Sequence, residues 1–194
     1  MFRDQVSDIS ISGFAVRELM ANGADMSDEG LRICERIKEI MMMCDREDPV
    51  YEQISSFSIA LYTLGYFDSP DLMSFQDVDG QEAAAILKEH FTPVSAEDVP
   101  WDYHITQSDE KYLLVMGDPL FPLHFALLTD FRNERPYFSK LPLFGSGFDS
   151  LTELMDEFSG YDGVNQYDVH YFKKTPDSLQ TRTVRKGQIY IVRD

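Results

Sequence analysis

Four histidines, two cysteines and a surplus of carboxylates are the side chains whose chemistry depends on how the chain places them. His90, His104, His124 and His170 form no HxxxH, HxH or HExxH pattern, so no local pair is spaced for a metal. His124 and His170 both fall in stretches that read as strands and could meet across a sheet, with Asp118 or Asp168 as the acid. His124, Asp168 and His170 therefore make one candidate ligand site, with Tyr137, Tyr167 and Tyr171 lining it. The competing reading makes each histidine a hydrogen-bonded core residue. His124, which shares an alternating face with Ala126 and Leu128, fits that reading well.

Cys34 and Cys44 are the whole thiol inventory. Both sit on the apolar stripe of one expected helix, without a CxxC partner or a nearby histidine. Ten helical residues at about 1.5 Å each hold them roughly 15 Å apart, beyond disulfide reach. They read as inert. No GxSxG elbow presents a serine nucleophile.

Two glycine motifs invite ligands and fail on spacing. With Gly80 as the sixth residue of a calcium loop, Phe75 would be first and Ile86 twelfth, and neither is a ligand. Asp77-Val78-Asp79-Gly80 thus reads as a helix cap. Gly145-Ser146-Gly147 lies between strand and helix, where backbone amides can cradle phosphate. The third glycine of a dinucleotide fingerprint is Ser150 instead, and no Walker lysine follows. Asp149, Glu153, Asp156 and Glu157 would repel an anion, so a plain turn is expected. No metal site and no cofactor are expected.

The elements that position these residues change period midway. Phe2, Val6, Ile9, Gly13, Val16 and Met20 follow helical spacing, in competition with a short strand at 9–11. Ser27 is a plausible N-cap, with Asp28 and Glu29 in a first turn and an apolar stripe from Leu31 to Cys44. Met41-Met42-Met43 points three ways on that helix, so at least one methionine faces the core. Asp48-Pro49 opens the next helix, which Gly65 ends. Asp79-Gly80-Gln81-Glu82 caps another, running through Phe91. Residues 92–109 read as a connector, and Trp101, the single tryptophan, is expected to pin it to a core.

Beyond it, 112–116, 121–127, 137–144 and 169–172 read as strands. Ser150-Leu151-Thr152-Glu153 opens one further helix, and 181–193 resembles a hairpin. The expectation is an α+β fold: about four helices over 1–91, the connector at 92–109, then a mainly antiparallel sheet with one helix over 110–194, packed as one unit.

Charge is the outlying property. Seventeen Lys and Arg against 34 Asp and Glu give −17, which disfavours direct nucleic-acid binding. The first 100 residues hold 7 basic and 20 acidic side chains, a net of −13. No apolar run is long enough for a membrane span, and the N-terminus lacks a signal-peptide layout, which points to the cytoplasm. Asp25, Asp28 and Glu29 cluster at one helix junction, and Asp45, Glu47, Asp48 and Glu52 at the next. Focused acids speed association with basic partners. The expected function is a non-catalytic acidic interaction protein that binds a basic macromolecular surface, as inhibitors, immunity proteins and DNA mimics do. Its partner would be a basic protein, one that itself binds nucleic acid being the natural case. The alternative is a small enzyme or ligand-binding domain at His124, Asp168 and His170. A homodimer through exposed apolar faces is a further expectation, since 14 Phe and nine Met supply the material.

Overall fold

The computed structural model describes residues 27–46, 54–69, 71–74, 76–158, 168–175 and 182–183. Helix α1 (Asp28–Met43) starts where the Ser27 hydroxyl accepts the Gly30 N–H at 3.0 Å. Its stripe of Ile33, Cys34, Ile37, Ile40 and Met41 is buried, and the Cys44 N–H closes it on the Ile40 carbonyl. Helix α2 (Ser56–Thr63) is buried along its whole length. It opens at Ser56 and not at Asp48-Pro49; residues 47–53 lie outside the described ones. The reason is local: Ser55 accepts the Ser58 N–H at 3.1 Å and its hydroxyl reaches Asp77 and Val78, a complete cap. Gly65, at φ +77°, ends the segment in a conformation that side chains disfavour.

A short strand β1 (Phe67–Asp68) and a 3₁₀ turn (Leu72–Ser74) lead to α3 (Gly80–His90), capped by Asp79 on the Glu82 N–H at 2.9 Å. Phe91, expected inside that helix, begins strand β2 (Phe91–Val94) instead. Pro93 contributes to this, because it drives Thr92 to extended backbone and so disfavours helix beyond Phe91, which is itself extended at φ −133°, ψ 152°. The sheet thus starts where a connector was expected.

Strands β3 (Tyr112–Met116), β4 (His124–Leu128), β5 (Tyr137–Lys140) and β6 (Ser146–Asp149) follow, then helix α4 (Leu151–Phe158) and β7 (Val169–Lys174). The sheet order is β2-β7-β3-β4-β5-β6, with every neighbour antiparallel. The α+β architecture with an antiparallel sheet and one helix within it is as expected. Three helices, not four, precede the sheet among the described residues; the one expected over residues 2–20 lies outside them. Arg182–Thr183 (β8) pairs in parallel with β1, and the rest of the expected hairpin at 181–193 lies outside the described residues.

Gly145-Ser146-Gly147 is not a free turn. Ser146 and Gly147 belong to β6, and the Ser146 N–H donates to the Cys44 carbonyl at 2.6 Å. A Cβ on Gly145 would overlap the Asp45 backbone, so glycine is what lets the tail of α1 lie on the sheet edge.

The two faces of the sheet differ in chemistry. Register puts Leu113, Val115, Phe125, Leu127, Phe138 and Phe148 on one face. There α2 packs, with the Phe57 ring edge-on to Phe125 at 4.8 Å between centroids. The other face carries Leu114, Met116, Ala126 and Leu128, but also His124, Tyr137, Ser139, Asp149 and Tyr171. Helix α4 approaches this second face, capped by a reciprocal pair: Ser150 N–H to Glu153 at 2.8 Å and Glu153 N–H to Ser150 at 3.2 Å. One contiguous buried cluster draws on α1, α2, α3 and the sheet.

Candidate functional site

The polar face of the sheet carries several buried groups that could do chemistry, His124, Tyr137, Ser139, Asp149 and Tyr171 among them. The β4–β5 ladder holds only Leu127↔Phe138 and Leu128↔Tyr137. Towards the other end of these strands the Phe125 N–H donates to the Ser56 hydroxyl at 3.3 Å. His124 stands at this end, 1% exposed, its ring 4.7 Å from that of Phe158. Its Nε2 has no hydrogen-bond partner. Burial, reinforced by the charges of Arg46 and Lys140, pushes its pKa down to about 3. The imidazole is therefore neutral at physiological pH.

Arg46 reaches this region from the tail of α1. It forms a two-pronged ion pair with Asp149 of β6, one arm at 2.7 Å, and its Nε is left without a partner. Ser139 donates to the same carboxylate at 3.4 Å. Lys140, also buried, donates to the Leu141 carbonyl at 3.3 Å. In sequence Arg46 stands between Asp45 and Glu47 of the second acidic cluster; folded, it turns inward and pairs with the buried Asp149. The signal available beforehand was Asp149 itself, a charge in a strand otherwise flanked by apolar and small residues.

The expected partners of His124 are elsewhere. His124 pairs with Met116 and His170 with Val115, and adjacent residues of β3 point to opposite faces. The two histidines are therefore on opposite sides of the sheet and do not share a site. Asp168 precedes β7, and its carbonyl accepts the Gly117 N–H at 2.8 Å. Of the tyrosines expected to line a pocket, Tyr137 and Tyr171 do meet. Their hydroxyls share a hydrogen bond at 2.5 Å across the strands between them, with the small Ala126 on the same face. Tyr167 lies outside the described residues.

Among the described residues no hydroxyl or thiol hydrogen-bonds His124, so the nucleophile-and-base pair of covalent catalysis is not assembled there. Among them, too, no group of three His, Cys, Asp or Glu converges as a metal site. Cys34 is buried and its thiol is pushed up to about 11 by desolvation, against the charge of Lys38. What the Arg46–Asp149–Ser139 constellation does is fasten the tail of α1 to β6.

The acidic side chains divide into those with internal work and those without. Glu29 pairs with Lys174 at 2.9 Å. Burial would raise its pKa, but Lys174, with Lys111 and Arg32 behind it, holds the carboxyl below the usual range. It is therefore part of a strut between α1 and β7 and not a bare docking charge. Asp28 is exposed in the first turn of α1, and Asp45 is half-buried on its bridge to Ser146. Asp25, Glu47, Asp48 and Glu52 lie outside the described residues. Two further acids serve α2: Asp77 binds Ser55 and Ser58, and Glu39 accepts from Tyr62 at 2.5 Å and from the Leu72 N–H at 3.1 Å.

A different acidic stretch carries the most exposed aromatic group among the described residues. Residues 95–110 contain Glu97, Asp98, Asp102, Asp109 and Glu110 and no Lys or Arg. All five acids are exposed. Trp101 stands among them, 76% exposed, and does not pin the segment to a core. Val99 and Tyr103 take that role, 6% and 2% exposed. The turn closed by the Tyr103 N–H on the Pro100 carbonyl, 3.0 Å, leaves Trp101 and Asp102 at its tip. Glu97, Asp98 and Asp102 form no ion pair among the described residues, whereas Glu110 binds Lys173 and Tyr112.

No protein-family model matches the chain, and neither the curated proteins nor the solved structures provide a match. No helix of the described residues is long and apolar enough to cross a membrane.

Proposed function

We propose that this chain is a non-catalytic acidic interaction protein that binds a basic macromolecular surface, in the manner of an inhibitor, immunity protein or DNA mimic. The observation that carries the reading is Trp101, 76% exposed and flanked in sequence by the exposed acids Glu97, Asp98 and Asp102. Tryptophan is enriched among the few residues that dominate binding energy, and its face attracts arginine and lysine. Carboxylates around it add the long-range field that steers a cation in. The acids of 1–100 extend that field, so Asp25, Asp28, Asp45, Glu47, Asp48 and Glu52 act in approach more than in contact. The partner is a basic protein, the natural case being one whose own groove binds nucleic acid. Free, buried Cys34 and Cys44 suit a reducing compartment, and we place the chain in the cytoplasm.

The test starts with the basic protein that salt elutes from immobilised chain in an extract of its host. Association rates are then measured for the wild type and for Asp98→Lys/Asp102→Lys. The double reversal slows association by roughly 10-fold or more at low ionic strength and flattens the salt dependence. An unchanged on-rate contradicts the proposal.

A further inference from the structure

Two hairpin tips leave the same end of the six-stranded sheet. β3 joins β4 through residues 117–123, and β5 joins β6 through residues 141–145. Antiparallel order puts both at that end, with the axes of the two hairpins about 10 Å or more apart across β4 and β5. On these tips Leu120 is 66% exposed, Phe121 71%, Leu123 52%, Leu143 78% and Phe144 46%. The turns do not need these side chains to close. Phe121 N–H binds the Asp118 carbonyl at 2.7 Å, Leu123 N–H the Met116 carbonyl at 2.8 Å, and Phe144 N–H the Leu141 carbonyl at 3.3 Å. Polar turn residues would serve equally, and usually do.

We infer that this end of the sheet is a self-association surface that joins two copies of the chain. Charge selects a second copy over other occupants. The chain carries −17, yet residues 117–123 contain Asp118 as their only charge and residues 141–145 contain none. A basic partner finds almost nothing to pair with there. A nucleic acid or an anionic bilayer is repelled by the rest of the molecule. Two acidic copies meet with least repulsion where the projecting loops carry one charge between them, Asp45, Arg46 and Asp168 lying at the base of the tips beside Gly145 and Gly117. Area agrees: five large side chains offering on the order of 100 Å² each give about 500 Å², more than half of the ~800 Å² that one partner gives a standard interface. A two-fold contact uses the same patch on both copies, and an apolar patch is complementary to itself. Trp101 is left free, because its turn lies at the opposite end of the sheet, where the Phe131 N–H binds the Tyr103 carbonyl at 3.0 Å.

Sedimentation equilibrium of the full chain tests this, from low to high micromolar concentration. The wild type is expected to be a dimer. Phe121→Ser/Leu143→Ser is expected to raise the dissociation constant roughly 100-fold or more and to sediment as a monomer. Added salt should tighten the wild-type dimer, because it screens the repulsion between the two acidic chains. Both positions are exposed, so the circular dichroism melt should barely move; Leu120→Gln is a second probe should the double variant fold poorly. A monomeric wild type throughout the range overturns the inference, as does a dimer that ignores both variants. A monomer that binds phosphatidylcholine vesicles through Phe121 and Leu143 assigns the surface to lipid and overturns it as well.

Discussion

Unfolding hands His124 back to water, where its ordinary value of 6.5 applies, against about 3 in the fold. Above pH 6.5 the side chain is neutral in both states, and its burial is then not opposed by charge. Below that pH the unfolded chain takes up a proton that the folded chain refuses. Stability therefore falls as the medium is acidified from pH 6.5 towards 3, at about 1.4 kcal/mol per pH unit from this group. His124→Gln should flatten the acid limb, read as the urea midpoint at several pH values in that window. A variant with the wild-type slope contradicts the buried, unpartnered Nε2. Sequence made His124 legible as a core residue, because alternation with Ala126 and Leu128 is local. It did not reveal Arg46 and Lys140 as the charges that act on it, since those come from the tail of α1 and from β5. The wrong pairing with His170 has the same origin: which face a strand residue takes depends on register with its neighbours, and one residue of offset reverses it.

At the scale of elements, local signals carried well. Ser27, Asp79 and Ser150 cap the helices that their sequences announce, since a cap needs only the next three residues. Boundaries set by competition did not carry. Ser55 outcompetes Asp48-Pro49 as the start of α2, and Pro93 contributes to ending α3 where strand β2 begins. Contacts between distant segments were invisible, above all the seating of α1's tail on β6. That contact yields a prediction. Gly145→Ala places a Cβ into the backbone of Asp45, which is held by the Ser146-to-Cys44 hydrogen bond and the Arg46–Asp149 pair. The neighbour is backbone and cannot swing aside, so the variant should lose about 3 kcal/mol or more of stability. A chemical-denaturation midpoint within a few tenths of the wild type would show that the seat is loose.

For the whole molecule, composition suggested the proposed function class, and the fold shows which of the described acids are paired internally. The net charge was plain in the sequence, but which acids are spent internally was not. Glu29 is bound to Lys174, Glu39 to Tyr62, and Asp77 to the cap of α2. Among the described residues Glu97, Asp98 and Asp102 form no ion pair, and their stretch reads in sequence only as a connector, because the exposure of a tryptophan depends on whether Val99 and Tyr103 fill the core in its place. The same residue supplies the direct test. Trp101 is the single tryptophan, so its emission reports on this surface alone. Titrated with the basic partner at low ionic strength, the emission should change saturably and shift to shorter wavelength as the ring is covered, and Trp101→Ala should weaken binding by roughly 30-fold, with the change lost at high salt. Binding that leaves the emission of Trp101 untouched would contradict the account.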